Sequence, residues 1–164
     1  MKTPMTWEQI CDDPHLRDLP YKIEQDRHGR IVMSPTSVGH SRYQGRILQI
    51  LGELLPEWEI IPECAVQTAE GVRVPDVAVL CPERKGNLQD LPSLPIGPDI
   101  CVEVMSWTNS LEEMAEKRRL YAARGCREFW TCSKSGEMAF FDAGSGLALG
   151  RSGICSEFPT RIEL

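Results

Sequence analysis

The order of the predicted elements indicates a mixed α/β or α+β domain built around one central β-sheet. Two segments, residues 72–80 and 99–106, are apolar almost throughout, as expected of strands that are buried on both faces. Residues 37–55 and 110–124 instead have the hydrophobic periodicity of helices. Because the second helix follows one predicted strand and precedes another, these three elements should form a right-handed parallel crossover.

The composition is that of an ordinary globular protein. A chain of 164 residues with 41% hydrophobic and 26% charged residues favours a single domain. At this length about two-thirds of the unfolded surface can be buried, so no disulfide or metal is needed for stability. No apolar run approaches the ~20 residues of a membrane span, and the N-terminus lacks the apolar region of a signal peptide. We therefore expect a cytoplasmic protein with no membrane partner.

Charge and cysteine usage narrow the function classes. A net charge of −6 weighs against a protein that coats nucleic acid non-specifically. It does not exclude a nuclease, because a divalent metal offsets clustered carboxylates locally. The seven cysteines are scattered and form no C-x-x-C pair, so a structural zinc site is not expected. Cys64, Cys101 and Cys132 lie in predicted strands and are interpreted as small buried hydrophobic residues.

The first third of the chain should contain a short helix, a hairpin and a long helix. Residues 6–18 can begin with a helix that Thr6 caps. Residues 21–35 have the pattern of a β-hairpin whose turn lies at 26–29. The long helix over 37–55 should end at Pro56, since proline cannot continue a helix.

The middle of the chain predicts a strand over 58–67, a turn at Glu70–Gly71 and then the strand that contains Asp76, the two strands pairing as a hairpin. Residues 81–98 are polar and rich in proline, and we expect a long surface loop there. A loop of this length in a compact domain is often functional or mobile.

The last third begins with a helix whose start is marked by Ser110 and Glu113, at the spacing of a capping box. The helix should run to about Arg124, with Gly125 as its C-terminal stop. Two strands should follow, over residues 128–133 and 137–142. The tail from residue 144 is rich in glycine, with weak strand character at 153–157 and 160–163.

Two acidic residues interrupt the most apolar strands. Glu103 lies in the middle of residues 99–106, on the side shared with Cys101 and Met105, and Asp76 lies within the other strand. A buried carboxylate is costly unless something binds it, so the pair indicates one shared cation. Other interpretations stay open: Asp76 follows a proline and could cap a turn, and Glu103 could pair with a buried arginine such as Arg118.

Two basic residues on the second long helix are candidates for the same site. Lys117 lies at the border of the apolar arc, where its ammonium can reach the strand that precedes the helix, or can extend into water instead. Arg118 falls inside the apolar arc, where it could pair with a buried acid or reach a substrate phosphate.

The order and spacing of these motifs resemble the Uma2 (DUF820) family of endonucleases, in the PD-(D/E)XK restriction-endonuclease-like superfamily. The resemblance runs from about Tyr21 to Asp142. It implies one domain over residues 1–164, with a helical extension at 1–20, a core at 21–142 and a tail at 143–164. The motifs that carry it are Ile23-Glu24, Gly29, Met33-Ser34-Pro35, His40, residues 74–79, 102–106 and 117–121, Gly125 and residues 128–130.

The resemblance implies a restriction-endonuclease-like fold, a mixed central sheet flanked by helices, and a metal-dependent site that cleaves phosphodiester bonds. Asp76 and Glu103 match the family's acids and would ligate Mg²⁺ or Mn²⁺. The lysine that usually follows two residues after the second acid is replaced by Met105, and Lys117 matches the lysine that this family carries on the next helix. Glu24 matches an additional acid near the site.

Three further residues bear on that site. His40 could contact phosphate near a helix N-terminus or could be structural, and the sequence does not separate the two. Trp107 stands where the family commonly has proline, and Arg118 where it usually has an apolar residue. Both departures could reshape the pocket without removing a proposed ligand.

The sequence thus favours an Mg²⁺- or Mn²⁺-dependent endonuclease with DNA as its substrate. The alternative is a non-catalytic module that retains the nuclease fold and binds nucleic acid or protein, which the acidic charge supports. A hydrolase acting on a small phosphoester is a third possibility. A homodimer is also expected, since such folds often act in pairs and an interface could use tryptophans, here Trp7, Trp58, Trp107 and Trp130.

Overall fold

The computed structural model describes residues 3–164, which form three helices and ten strands. In chain order these are α1 (Trp7–Asp12), β1 (Tyr21–Gln25), β2 (Ile31–Pro35), α2 (Val38–Leu54), β3 (Glu59–Pro62), β4 (Val66–Thr68), β5 (Gly71–Arg73), β6 (Val77–Leu80), β7 (Ile100–Val104), α3 (Leu111–Ala122), β8 (Glu128–Cys132), β9 (Met138–Asp142) and β10 (Ala148–Leu149).

The larger of two sheets has six strands in the order β10-β9-β8-β7-β6-β3. All neighbouring pairs are antiparallel except β7 and β8, which are parallel and joined through α3. The predicted parallel strand-helix-strand unit is therefore confirmed. Its central strand, β7, is buried at every position.

A hydrophobic cluster lies on each face of the large sheet. Ile100, Val102 and Val104 of β7 belong to the cluster that Ile47 and Leu51 of α2 complete. Cys101 faces the other cluster, together with Met114 and Tyr121 of α3 and Val66 of β4. The alternation predicted for residues 99–106 is confirmed, since side chains on an extended strand alternate between faces.

The prediction of a single sheet was incomplete, because a four-stranded sheet with the order β2-β1-β5-β4 lies beside the large one. The predicted strand over 58–67 is divided: β3 pairs with β6 in the large sheet, and β4 pairs with β5 in the small one. The division falls at Glu63, whose φ of 47° is incompatible with a continuous strand. Asp76 is likewise not inside a strand but directly before β6.

The predicted helix starts are confirmed. Thr6 caps α1 and forms a capping box with Gln9. The hydroxyl of Ser37 accepts the N–H of His40, and that of Ser110 accepts the N–H of Glu113. The box expected at Ser110 is only half formed, because the Glu113 carboxylate instead accepts from the side-chain amide of Asn109.

The helix ends also follow the sequence closely. The α2 helix ends at Leu54, ahead of Pro56, and α3 ends at Ala122, two residues before the predicted end. Gly125 then adopts a φ of 97°, which favours glycine. The early hairpin is confirmed as β1 and β2, with Gly29 at a φ of 74° in its turn.

Residues 81–98 contain no helix or strand, as expected. The tail differs from the prediction: β10 pairs with β9, residues 153–157 are not a strand, and Arg161 forms only an isolated bridge with Glu137. Cys101 and Cys132 are buried as predicted, whereas Cys64 lies half-buried in the connection between β3 and β4. Within residues 3–164, no helix combines the length and the apolar character needed to cross a bilayer.

Candidate active site

The two acids face each other across adjacent strands of the large sheet. In the antiparallel pairing of β6 and β7, Val77 lies opposite Val102, so the preceding Asp76 lies opposite Glu103. Directly opposed residues project from the same face of a sheet. Both side chains are almost fully buried. The backbone fixes Asp76 further, because the N–H of Val104 donates to its Oδ2 at 2.7 Å.

Lys117 points inward from α3 and is buried. Its Nζ lies 3.2 Å from both carboxylate oxygens of Glu103 and 3.3 Å from Oε1 of Glu24. Of the two interpretations of this lysine, the structure supports the one in which its ammonium reaches the β7 strand. One helical turn later, the hydroxyl of Tyr121 donates to Oε1 of Glu103 at 3.1 Å.

Glu24 comes from β1 in the small sheet and is also buried. Its Oε1 accepts the backbone N–H of Val74 at 2.8 Å, in the segment that leads from β5 to Asp76. This hydrogen bond places the third carboxylate beside Lys117.

Lys22 is a member of the cluster that sequence reasoning missed. Its Nζ lies 2.8 Å from Oδ1 of Asp76 and 3.5 Å from Oε2 of Glu103. A signal for it was present, since residues two apart on a strand share a face and Lys22 precedes Glu24 by two positions in β1. Only the fold shows that this face meets the acids.

His40 enters the site from the first turn of α2. Its Nε2 is buried and lies 3.3 Å from Oδ1 of Asp76, but it forms no hydrogen bond. Gln44, one turn along the same helix, donates from Nε2 to the backbone carbonyl of Asp76 at 2.8 Å. The α2 helix therefore fixes the main chain of this aspartate and places His40 beside its side chain.

Arg118 lies outside the cluster, which corrects the expectation that it pairs with a buried acid; a contact with a substrate phosphate stays a prediction. Its guanidinium donates to the carbonyl oxygens of Ala143 and Gly144, after β9, and so contacts neither a buried acid nor the other site residues. The structure thus brings five of the six predicted site residues together and separates the sixth. The five are Glu24, His40, Asp76, Glu103 and Lys117.

The charges in the cluster compensate one another. Burial disfavours the charge on Asp76, but His40 and Lys22 outweigh it and lower the pKa of this carboxyl to about 2. Burial likewise opposes the charge on Lys22, but Glu103, Asp76 and Glu24 raise its pKa above the usual value. The pKa of Lys117 is raised, because Glu103 overcomes the effect of burial. Burial raises the pKa of Glu103, against the opposing charges of Lys117 and Lys22.

The donor set suits a hard divalent ion. Mg²⁺ takes one or two carboxylates and keeps several waters. Asp76 and Glu103 can contact one cation together, as their shared contacts with the Lys22 ammonium show. Among residues 3–164, no three or more His, Cys, Asp or Glu side chains form a complete metal cluster, so water and substrate would have to supply the remaining ligands. The unsatisfied Nε2 of His40 offers a partner to such a water or to a phosphate oxygen.

Comparison with known proteins shows similarity to one family model and to solved structures. The family model Uma2, described as "Putative restriction endonuclease", matches residues 8–147. A solved structure from Anabaena variabilis ATCC 29413, described as a "putative nuclease belonging to DUF820", aligns with a TM-score of 0.76 over 96% of this chain and 95% of that chain. The two sequences are 14% identical, so this likeness establishes the fold alone. A search of the curated proteins gave no match to the chain.

Proposed function

The chain belongs to the Uma2 family of restriction-endonuclease-like proteins, and from this we propose that it is an endonuclease that hydrolyses phosphodiester bonds of DNA with Mg²⁺ or Mn²⁺. The main support for the proposal is that Asp76 and Glu103 lie opposite each other on adjacent strands, with their carboxylates close enough to contact one cation. A scaffold needs no such pair, because burying two neighbouring acids is costly.

Asp76 and Glu103 would hold the divalent ion, which when bound polarises a phosphate oxygen and lowers the pKa of a water. The ammonium of Lys117, fixed between Glu103 and Glu24, can orient the attacking water and stabilise charge that develops on the phosphate. The Nε2 of His40, which lies 3.3 Å from Oδ1 of Asp76 without a hydrogen bond, can donate to or accept from a phosphate oxygen or that water. Tyr121 keeps Glu103 in position through its hydroxyl.

A basic cleft supports DNA as the partner despite the acidic net charge. The cleft has a volume of about 320 Å³ and includes Arg119 and Glu116 of α3, the helix that carries Lys117. It also contains Arg27, Arg30, Arg73 and His28, and its four arginines exceed its three acids, Asp26, Glu70 and Glu116, by one. Two of the arginines are paired within the cleft, Arg30 with Asp26 and Arg27 with Glu70. The arginine side chains of this cleft can bind the phosphate backbone, which dominates affinity for nucleic acid.

DNA cleavage by a variant in which the charge of Glu103 is removed tests the assignment of the metal site. Purified protein should nick or linearise supercoiled plasmid with Mn²⁺ or Mg²⁺ and not with EDTA. Glu103→Gln should reduce the rate by at least about a hundred-fold, because it removes a metal ligand. Glu59→Gln is the matched control, since Glu59 is a half-exposed acid of β3 paired only with Lys85.

If Glu103→Gln remains folded by circular dichroism and still cleaves at the wild-type rate, the assignment of the site is wrong. Cleavage that is equal in EDTA would contradict the metal requirement.

One observation favours the alternative, a non-catalytic module that binds nucleic acid or protein. Lys22 and Lys117 already compensate Asp76 and Glu103, so the folded chain does not depend on an added cation. Calorimetry separates the two functions: no heat of binding at millimolar Mn²⁺ or Mg²⁺, for the wild type or for a variant lacking Lys22, would favour the module.

The homodimer stays a prediction. Trp130 is buried in the core, so it cannot serve an interface, whereas Trp107 is 88% exposed, with Lys134 above its ring. Sedimentation of a monomer at micromolar concentration would contradict the dimer.

A further inference from the structure

Lys22 lies where a bridging cation between the two opposed acids would lie. Its side chain is only 9% exposed, and its ammonium is the one group that contacts both Asp76 and Glu103 among the residues that the structure describes. A divalent ion held by the same two carboxylates needs this space.

We propose that Lys22 and a divalent cation compete for the Asp76–Glu103 pair, so that metal binds only when the lysine side chain moves out. The inference rests on the proposed function in one respect: it takes this pair to be the place where the metal binds. It adds that the ammonium of Lys22 takes the place of the metal between Asp76 and Glu103 and compensates their charges when metal is scarce.

The charges of the buried groups favour exchange over simultaneous binding. Three carboxylates, Glu24, Asp76 and Glu103, and two ammonium groups, Lys22 and Lys117, leave a local charge of −1 when His40 is neutral. Adding a divalent ion while both lysines stay makes this charge +1. Replacing Lys22 by the ion makes it zero, which costs least in a buried site.

The two lysines differ in their freedom to leave. Lys117 contacts Glu103 and Glu24 but not Asp76, and it projects from a helix that packs into the core. Lys22 instead borders a surface groove of about 180 Å³. Glu63 lines the same groove, so a displaced ammonium would find both space and a new carboxylate nearby.

Chemical acylation of lysines reports the displacement directly. Full-length protein is treated briefly with acetic anhydride at increasing Mn²⁺, and the modification of each lysine is measured by mass spectrometry. Lys22 should be protected without metal, and its modification should rise several-fold as Mn²⁺ saturates the site. Lys85, which is 41% exposed and paired with Glu59, is the internal control and should not change.

Metal affinity provides the second test. Lys22→Met should bind Mn²⁺ at least about ten-fold more tightly than the wild type by calorimetry, because the competing charge is gone. Lys22→Arg keeps the charge and should retain weak binding, and Lys85→Met should match the wild type.

The outcomes separate this inference from the proposed function. If Mn²⁺ binds the wild type, and Glu103→Gln abolishes that binding, while Lys22 stays protected and Lys22→Met has unchanged affinity, competition is overturned and the metal site stands. If neither the wild type nor Lys22→Met binds Mn²⁺, the metal site is overturned as well.

Discussion

The burial of Lys117 predicts a large and specific loss of stability when its charge is removed. Lys117→Met keeps most of the apolar stem but leaves Glu103 with two oxygens that lack their 3.2 Å partner, and Glu24 without its 3.3 Å partner. Removing one partner of a buried ion pair typically costs about 3–5 kcal/mol. We expect a loss in that range, toward its lower end because Lys22 and Tyr121 still contact Glu103.

Urea unfolding in EDTA, followed by tryptophan fluorescence and circular dichroism, measures this loss. The double variant Lys117→Met with Glu103→Gln should recover most of it, since no uncompensated carboxylate remains at that position. Lys85→Met removes a half-exposed lysine from its pair with Glu59 and should cost less than about 1 kcal/mol.

A loss below about 1 kcal/mol for Lys117→Met would refute the reasoning. It would mean that the lysine reaches water in solution, as the sequence alone also allowed. An additive double variant would refute the coupling between Lys117 and Glu103.

Two further predictions concern pH and DNA. The pKa of Asp76 is about 2 in the folded chain against an ordinary value of 3.8, so its contribution to stability is present above about pH 4 and is lost as pH falls through 2. Asp76→Asn should therefore flatten the fall of unfolding free energy over that window in urea titrations, and an unchanged slope would contradict it. Replacing Arg27 and Arg119 of the cleft by alanine should weaken DNA binding and lower the dependence of log affinity on log salt by about one to two, measured by fluorescence anisotropy. If this variant shows the same salt dependence as the wild type, the cleft does not contact the DNA backbone.

The sequence predicted which faces of the central strand and of the helices are buried, because this depends on local periodicity. The alternation of Ile100, Val102 and Val104 against Cys101 fixed the central strand, and the serines before α2 and α3 marked their starts. The small sheet was not readable as a separate unit. Its origin is the positive φ of Glu63, a residue type that carries no turn signal.

The sequence predicted the candidate site only in part, because local patterns do not show which distant segments come together. Asp76 and Glu103 stand out as charges within apolar strands, but Lys22 lies on a polar hairpin strand and meets them across 54 and 81 positions of sequence. The helical periodicity placed Arg118 inside the apolar arc and Lys117 at its border, whereas Lys117 is buried and Arg118 is half-buried. It could not reveal that the partners of Arg118 are the carbonyls of Ala143 and Gly144 rather than an acid.

The chain crosses from the small sheet to the large one within residues 74–76, and site carboxylates fasten both ends of this crossing. Glu24 accepts the N–H of Val74, and Asp76 accepts the N–H of Val104. Each hydrogen bond thus ties one end of the crossing to one sheet, and the bond of Asp76 uses Oδ2 while Oδ1 contacts Lys22. A shift of one sheet against the other would move Glu24 away from Asp76 and Glu103, so the proposed activity and the alignment of the sheets should be lost together. Replacing Glu24 by Gln or Asp76 by Asn keeps an oxygen acceptor for each of these hydrogen bonds. Such variants are accordingly better probes of the carboxylate charge than alanine variants.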